Sequence, residues 1–233
     1  MRIAKYIADC GICSRRQAEK LIEQGAVSVD GIIITSPALN VDEKNVVYVD
    51  GNQINPPDRS RLWVYYKPTG LITTHKDPQG RRNVFEEIGD KLPRVISVGR
   101  LDINSEGLLL LTNNSKLARY FESPQNKIER VYKVRAFGRG RPIDIVDKKI
   151  VIDDIYYRPK LIKLINNTGS NSWYEVILTE GKNREIRNIF KHFGFEVNRL
   201  IRTSYGKYSL GKLNPGEYKE VIIDEDYIRQ IQK

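Results

Sequence analysis

Four consecutive leucines, Leu108 to Leu111, constrain the fold of this chain more than any other feature of its sequence. They belong to the segment GLLLLTNN, which begins at Gly107. Side chains alternate between the two faces of a strand, so an uninterrupted apolar run indicates a strand that is covered on both faces. The segment therefore predicts an interior strand of a large sheet, ended by Asn113 and Asn114 and followed by a helix in SKLARYF.

The remainder of the segment 62–233 alternates irregularly between strand-like and helix-like patterns. Strand-like runs are LWVYYK, RVISV, RVYKVRAF, KLIKLI, WYEVIL and NRLIRTSYG. Helix-like runs are VFEEIGDKL, SKLARYFE and REIRNIFKHFG. Because these runs do not follow a regular strand, helix, strand order, we predict an α+β domain with a mixed, largely antiparallel sheet and flanking helices. The sequence contains no glycine-rich nucleotide-binding motif, so a nucleotide cofactor has no support.

The N-terminal part of the chain predicts a small separate module of two helices and a hairpin. Ser14 and Gln17 have the spacing of a capping box, which marks the start of the second helix. Asp30 and Gly31 lie between two apolar runs, where this dipeptide favours a tight hairpin turn. A pair of prolines with polar neighbours follows and indicates a stiff linker. We therefore predict a small α/β module at 1–53, a linker at 54–61 and the larger domain at 62–233.

An excess of positive charge points to a polyanionic partner. The chain has 39 lysine and arginine residues against 29 aspartate and glutamate residues, which leaves a formal charge of +10. A charge of this size favours binding to nucleic acid, although it also improves solubility. Basic side chains crowd the polar side of the first two predicted helices, where they form either a surface that binds a phosphate backbone or only a solvated face. These candidate residues are Arg2, Lys5, Arg15, Arg16 and Lys20.

Several other classes of protein are disfavoured. No apolar run approaches the roughly 20 residues that a spanning helix needs, and the N-terminus lacks the apolar stretch of a signal peptide. We therefore predict a cytoplasmic protein without a membrane partner. Cys10 and Cys13 form a CxxC-like pair, but His75 and His192 are too distant in sequence to complete a metal site, so incidental or buried thiols are favoured. The sequence implies no protein partner, and we expect a monomer.

An aspartate stands just before the apolar run, in the segment GRLDINSEG. A carboxylate beside a buried strand reduces stability unless something compensates, because desolvation penalises its charged form. Gly99 and Gly107 bracket the segment, and Asn104 and Ser105 can hold a turn there through bonds from side chain to backbone. Asp102 is therefore either a local turn or capping residue or a residue that takes part in chemistry.

A later segment combines an apolar helix face with a basic one. In EGKNREIRNIFKHFG, apolar residues recur at helical spacing, whereas Arg184 and Arg187 project from a different face. Asn183 is the expected N-cap of this helix. Lys182 and Arg184 would then stand at the helix start, where backbone amides attract phosphate. A basic turn that merely faces solvent is the alternative.

Two sets of motifs resemble known families. The string SRRQAEKLIEQGAVSVDG, with its order of two helices and a hairpin, resembles the S4-like RNA-binding domain named after a small-subunit ribosomal protein. The motifs YKPTG, GRLDINSEGLLLLTN, ERVYKV, EGKNREIRNIF and LIRTSYG follow in that order. Together they resemble the motifs of bacterial ribosomal RNA pseudouridine synthases of the RsuA/RluB group. The resemblance spans almost the whole chain, although Glu185 stands where glutamine is frequent in that group.

The resemblance implies an enzyme that isomerises a specific uridine of ribosomal RNA to pseudouridine. Its partners would be ribosomal RNA or ribosome-assembly intermediates, and it would need no cofactor. By similarity Asp102 is the catalytic carboxylate, Arg187 pairs with it and keeps it ionised in a desolvated pocket, and Tyr132 stacks on the target base. Whether Asp102 attacks C1′ of the ribose or removes the 2′ proton stays open. The other implied substrate contacts are Arg100, Leu200, Lys67, Lys182 and Arg184. Of these, Arg100 would fill the space that a flipped base leaves.

Two other functions compete with this interpretation. A non-catalytic RNA-binding protein, such as a ribosome-assembly factor, would use the same basic surfaces, but binding alone gives no reason to bury a carboxylate near RNA phosphate. A glycosidase would need a pair of carboxylates across a pocket, whereas the motifs offer a single aspartate.

An enzyme that acts on a stacked uridine must also flip it out of the RNA, so base flipping is expected.

Overall fold

The N-terminal residues and the rest of the chain form separate hydrophobic cores in the computed structural model, which describes residues 1–75, 77–138 and 140–232. The helices of the N-terminal module are α1 (Ile3–Asp9) and α2 (Arg15–Glu23). Its strands are β1 (Val27–Val29), β2 (Ile32–Ile34), β3 (Val47–Val49) and β4 (Asn52–Ile54). These strands form one antiparallel sheet in the order β2-β1-β3-β4.

Local sequence signals determine the elements of this module. Ser14 caps α2, because its hydroxyl accepts a hydrogen bond from the Gln17 amide at 3.3 Å and its own amide donates to the Gln17 side chain at 3.0 Å. The first hairpin turns at Asp30 and Gly31, whose φ angles are 52° and 82°. Both backbone angles lie in the left-handed region that this dipeptide tolerates. The predicted capping box and the predicted hairpin are therefore present.

A second hairpin lies in the same module and was not predicted. Asp50 and Gly51 repeat the earlier turn with φ angles of 49° and 77° and connect β3 with β4. Ile54 at the end of β4 is buried in the core of the module. The core of the module therefore includes one residue of the segment that was assigned to the linker, and the limits of the three segments stay a prediction.

The larger domain contains four helices and twelve strands in the described part of the chain. The helices are α3 (Val84–Ile88), α4 (Ser115–Glu122), α5 (Glu185–His192) and α6 (Glu225–Gln232). The strands are β5 (Leu62–Lys67), β6 (Ile96–Val98), β7 (Glu106–Thr112), β8 (Arg130–Gly138), β9 (Ile145–Val146), β10 (Ile150–Ile152), β11 (Ile155–Tyr157), β12 (Leu161–Thr168), β13 (Asn171–Leu178), β14 (Phe195–Tyr205), β15 (Tyr208–Ser209) and β16 (Tyr218–Val221).

A mixed sheet organises this domain. Its strands lie in the order β16-β5-β7-β14-β8-β13-β12-β9, with β6 beside β7 and β15 beside β14. Strands β7 and β14 run parallel, whereas the other pairs in the sheet are antiparallel. The predicted α+β architecture with a largely antiparallel sheet is confirmed.

The leucine run lies in β7 and is buried on both faces of the sheet. Leu109 and Leu111 belong to the core that α5 covers, whereas Leu108 and Leu110 belong to the core that α4 and α6 cover. All four side chains have an exposed fraction of 0%. Asn114 caps the following helix, since its side chain accepts hydrogen bonds from two amides of the first turn of α4. The predicted interior strand and the helix after it are thus both present.

Several short elements of the larger domain escaped the sequence analysis. The hairpin of β10 and β11 turns at Asp153 and Asp154, whose φ angles of 48° and 62° are unusual for residues other than glycine. Its strands have three residues each, too few to show a clear alternation. Strand β16 and helix α6 are also short, and Tyr227 of α6 is buried only through packing against residues distant in sequence. Tertiary contacts therefore determine these elements more than local pattern does.

Gly107 allows β7 and β14 to approach each other closely. It pairs with Arg202 across the parallel strands, its φ is 104°, and a Cβ atom there would lie 2.3 Å from the Arg202 carbonyl oxygen. We expect Gly107→Ala to lower the free energy of unfolding by on the order of 3 kcal/mol, because the clash involves backbone that cannot rotate away. Gly216→Ala is the control, since its φ of 88° is similar but nothing lies within 4 Å of the added Cβ. Urea denaturation measures the free energy of unfolding of both variants, and an equal decrease in the two would contradict this explanation.

Candidate active site

A cleft of about 740 Å³ opens at one end of the large sheet. This volume lies within the range of about 300–1,000 Å³ that is typical of small-ligand sites. Its walls are the segment 99–105, here called the Asp102 loop, and the start of α5, and residues of β8 and β14 contribute to its floor. Seven of the predicted site residues line it, namely Arg100, Asp102, Tyr132, Lys182, Arg184, Arg187 and Leu200.

Two guanidinium groups flank the Asp102 carboxylate. Its Oδ2 lies 3.6 Å from Nη1 of Arg184 and 3.8 Å from Nε of Arg187. The Asp102 side chain is 33% exposed, so the carboxylate is partly solvated rather than sealed in a dry pocket as expected. Among the described residues, the hydrogen bonds that hold the turn use the Asp102 backbone carbonyl and leave the carboxylate unused. The structure thus offers no support for a capping role of this side chain.

Arg187 connects α5 to the Asp102 loop. Its Nη2 donates to the Asn104 carbonyl at 2.9 Å, and its Nη1 donates to the Val197 carbonyl of β14 at 2.8 Å. The side chain is only 14% exposed. Burial and the charge of Arg184 lower the pKa of Arg187, whereas Asp102 raises it. The arginine thereby fixes the position of the loop as well as placing a positive charge beside Asp102.

The start of α5 differs from the expected geometry. Arg184, not Asn183, occupies the N-cap position, with a φ of 49° and without a side-chain cap. The Glu185 carboxylate accepts a hydrogen bond from the Lys182 amide at 3.2 Å and so ties the segment before the helix to its first turn. Burial, followed by the charge of Glu180, raises the pKa of Glu185 to about 7. A sequence rule for N-caps failed here because a left-handed arginine changes the direction of the chain just before the helix.

Lys182 and Arg100 occupy different positions at the cleft. The Lys182 ammonium donates to the Tyr156 carbonyl and, at 2.9 Å, to the Glu180 carboxylate, so its charge already has a partner. Arg100 is exposed at the cleft, beside the Asp102 loop. Arg100 therefore remains available to a ligand, whereas Lys182 would have to give up its contact with Tyr156 or Glu180 to bind one.

Lys67 lies outside the lining of the cleft, beneath the Asp102 loop. Its side chain is completely buried, and its ammonium donates to the carbonyls of Pro68, Asp102 and Ser105 at 3.0, 3.2 and 2.9 Å. All three ammonium hydrogens are therefore used by the backbone of the loop and its neighbour. Burial is the largest cause that lowers the pKa of Lys67 from 10.5 to about 8, against the opposing effect of Asp102.

This pKa predicts that activity and stability respond oppositely to alkaline pH. As pH rises through about 8, Lys67 loses a hydrogen from its three carbonyl contacts, so we expect turnover to fall. Between about 8 and 10.5 the unfolded chain holds a proton that the folded chain has lost, so the free energy of unfolding gains a positive contribution. A pH series of turnover and of urea denaturation measures both trends. The alkaline fall in turnover should be absent from Lys67→Met; if it persists there, another group causes it.

Tyr132 and Leu200 come from neighbouring strands and face the cleft. Tyr132 lies in β8 opposite Arg202, and Leu200 lies in β14 opposite Val134. Their exposed fractions are 8% and 6%, and both also belong to the core that α5 covers. Each residue can therefore contact a ligand in the cleft and also contribute to the packing of the core.

The sequence analysis missed three large residues of the cleft. Arg130, Arg202 and Tyr205 line it from β8 and β14, and all three are buried. The signal was available, because Arg130 lies in the motif ERVYKV and the other two lie in LIRTSYG. Arg81 also lines the cleft and forms two hydrogen bonds with Asp77, at 2.8 and 2.9 Å.

The five basic residues predicted in the N-terminal module do not line this cleft. Arg15, Arg16 and Lys20 are exposed on α2, whereas Arg2 donates to the Ala38 carbonyl and Lys5 pairs with Asp9. Lys5 and Arg15 line a second cavity of about 910 Å³, shared with residues of the larger domain. Four of the five are exposed, since Arg2 is exposed as well, and only Lys5 is half-buried.

Two further observations concern ligands and membranes. Within residues 1–75, 77–138 and 140–232, no cluster of three or more His, Cys, Asp or Glu side chains could hold a metal ion. Cys10 and Cys13 are free, and burial raises the pKa of both thiols, of Cys10 to about 11. In the same described part of the chain, no helix is long and apolar enough to span a membrane.

Comparison with protein families identifies two matching segments. Residues 61–192 match the family described as RNA pseudouridylate synthase, and residues 1–47 match the S4 domain. The first match covers more than half of the chain and includes Asp102, Tyr132 and Arg187.

Individual relatives agree with these families. A protein of Rickettsia felis described as an RNA pseudouridine synthase is 58% identical over 221 residues, which are 94% of this chain and 96% of the relative. The ribosomal large subunit pseudouridine synthase B of Pasteurella multocida is 38% identical over 244 residues, 99% of this chain and 70% of the relative. A crystal structure of a pseudouridylate synthase has the same fold, with a TM-score of 0.66, 23% identity and 99% of both chains covered.

Proposed function

Because this chain belongs to the family of RNA pseudouridine synthases, we propose that it converts a uridine of ribosomal RNA to pseudouridine with Asp102 as the catalytic carboxylate. The class of enzyme follows from the family, whereas the RNA and the residue roles are the proposal. Support for ribosomal RNA comes from the 38% identical relative of Pasteurella multocida, whose name specifies the large ribosomal subunit. The N-terminal S4 domain and the charge of +10 suit a structured RNA partner.

The reaction is an internal exchange of bonds. The bond between N1 of uracil and C1′ of ribose breaks, the base turns, and C5 bonds to C1′. C5 then loses its proton, and N1 gains one. Atoms and electrons balance within the nucleotide, so the reaction requires no redox partner. Asp102 begins it either by attack on C1′ or by removal of the 2′ proton, and each route needs an ionised carboxylate.

One observation carries this proposal: a carboxylate free of turn hydrogen bonds lies beside two guanidinium groups in a cleft that Tyr132 and Leu200 also line. Arg187 and Arg184 place two positive charges beside the carboxylate. Tyr132 and Leu200 would hold the uracil, and the Tyr132 hydroxyl would lie near C5. Arg100 would brace the RNA after the uridine has flipped out. Lys67 would keep the Asp102 loop in position.

The test is to incubate ribosomal RNA that lacks pseudouridine with the wild-type protein and to map the modified positions. We expect one or a few uridines to be converted. If every uridine remains unchanged in both naked ribosomal RNA and assembly intermediates, the chain acts as a non-catalytic RNA-binding protein in ribosome assembly. That alternative uses the same basic surfaces, but it assigns no role to the Asp102 carboxylate between Arg184 and Arg187.

The exposed arginines of α2 provide a separate prediction about RNA binding. The double variant Arg15→Gln, Arg16→Gln should weaken binding to ribosomal RNA and reduce the slope of log affinity against log salt concentration by about 2, since two phosphate contacts are removed. Filter binding over a range of salt concentrations measures the slope. Lys44→Gln is a suitable control, because it removes an exposed charge from the same module away from α2. An unchanged slope in the double variant would show that α2 only faces solvent.

A further inference from the structure

Two arginines beneath the cleft carry buried charge without an acidic partner. Arg130 and Arg202 have exposed fractions of 6% and 2%, and both line the cleft. Arg130 donates to the Phe121 carbonyl at 3.2 Å and to the Tyr205 hydroxyl at 2.8 Å. Arg202 donates from Nε to the Leu108 carbonyl at 2.7 Å. All of these acceptors are neutral.

The two guanidinium groups contact the same aromatic ring, and one of them acts on a buried lysine. Their guanidinium carbons lie 4.7 and 5.0 Å from the centre of the same Tyr205 ring. The charge of Arg202 also contributes to lowering the pKa of Lys67. Within the described residues, neither arginine forms an ion pair with a carboxylate, and each retains a guanidinium nitrogen without a hydrogen-bond partner. The Ser105 hydroxyl nearby in the Asp102 loop is buried and unpartnered as well.

This arrangement is unfavourable for a purely structural role. Contact with the Tyr205 ring and with carbonyls offsets part of the desolvation of a guanidinium, but a buried charge normally needs a counter-charge. Apolar side chains of similar size would fill the same space without that penalty. Three other arginines of the cleft already face a carboxylate, since Arg184 and Arg187 face Asp102 and Arg81 is paired with Asp77. Arg100 also lines the cleft, but it is exposed, so its charge is solvated and not buried.

We propose that Arg130 and Arg202 form an anion seat that receives one phosphodiester group of the bound RNA, next to the target uridine. This inference rests on the proposed function, because it takes RNA as the ligand of the cleft. A phosphodiester has one negative charge and several acceptor oxygens, which match two guanidinium groups with unused donors. The bound phosphate neutralises the buried charge. Part of the binding energy of the RNA therefore comes from offsetting the desolvation penalty of the two guanidinium groups.

The test uses a short oligoadenylate that contains a single uridine, in which each linkage near the uridine is replaced in turn by a neutral methylphosphonate. For the wild type, we expect one replacement to weaken binding by about tenfold, the effect of losing a charge-assisted contact. For Arg202→Met and for Arg130→Met, the same replacement should change affinity by less than twofold. Arg135→Met is the matched control: it removes a half-buried charge from β8 outside the cleft and should retain the wild-type response.

The outcomes separate this inference from the alternatives. The anion seat does not exist if no methylphosphonate replacement weakens binding to the wild type. It is also excluded if the same replacement weakens binding to both Met variants as much as it weakens binding to the wild type. Thermal unfolding adds a second readout: without RNA, the Met variants should be no less stable than the wild type, whereas lower stability with unchanged RNA affinity would assign both arginines a structural role. Should one variant fail to fold, the other and the wild-type linkage series still decide. Because binding is measured, a linkage effect that persists without any pseudouridine formation would reject the proposed function and leave the seat intact.

Discussion

Replacement of Asp102 by asparagine should abolish pseudouridine formation while the protein still folds and binds RNA. Asparagine has the same shape, but it can neither attack C1′ nor accept the 2′ proton, so we expect turnover to fall by at least about 10³-fold, as for other groups that act directly on the reacting atoms. The partly exposed carboxylate makes no turn hydrogen bond among the described residues, so its replacement should change stability little. Mapping of modified positions in ribosomal RNA, together with thermal unfolding, measures both effects.

Asp77 provides a matched control for this substitution. It lies at the same cleft, but its carboxylate is bonded to the guanidinium and the amide of Arg81. Asp77→Asn removes one negative charge from the cleft without touching the Asp102 loop, and turnover should change by only a few-fold. If Asp77→Asn inactivates the protein as strongly as Asp102→Asn does, the effect reflects the charge of the cleft, and Asp102 loses its special role.

Substitution of Arg187 by methionine is expected to have the second largest effect, a loss of turnover on the order of 100-fold. Methionine keeps much of the buried volume but removes the positive charge beside Asp102 and the donors to the Asn104 and Val197 carbonyls. The carboxylate would then lose both its electrostatic support and its fixed position. Turnover under saturating RNA isolates this effect from binding, because most of the loss should appear in kcat rather than in KM.

Arg184→Met is the comparison for this variant. Arg184 lies slightly closer to Asp102, at 3.6 Å, but its side chain is 50% exposed and makes no contact that holds the loop. Solvent screens an exposed pair, so its removal should reduce turnover by less than about tenfold. A folded Arg187→Met variant with normal turnover, or a larger effect at Arg184 than at Arg187, would contradict the role assigned to Arg187 in holding the Asp102 loop.

Much of the fold could be predicted from local pattern. The leucine run was correctly interpreted as an interior strand because apolar residues at every position leave no face for solvent. The capping box at Ser14 and the turn at Asp30 and Gly31 depend on neighbouring residues, so the sequence contains the whole signal. The family motifs added Asp102, and its position could be predicted as a loop next to that strand.

Other features depend on contacts between distant segments and could not be predicted. Arg187 reaches a carbonyl of the Asp102 loop more than eighty positions earlier in the chain, and nothing in the local pattern of α5 specifies that partner. The exposure of Asp102 and the burial of Arg130 and Arg202 likewise follow from how the strands assemble. The cap of α5 was predicted wrongly, since Asn183 has a suitable side chain but Arg184 adopts the left-handed conformation.

The place of β14 has a consequence for how this protein is made. Strands β7 and β8 follow one another in the sequence, yet β14 lies between them in the sheet. During translation, a nascent chain therefore exposes one edge of each of these two long strands until a much later segment emerges from the ribosome. Unpaired edges of this kind promote aggregation, so we expect the half-made protein to depend on chaperones. The late arrival of β14 also delays the assembly of the cleft, because Leu200, Arg202 and Tyr205 line the cleft from this strand.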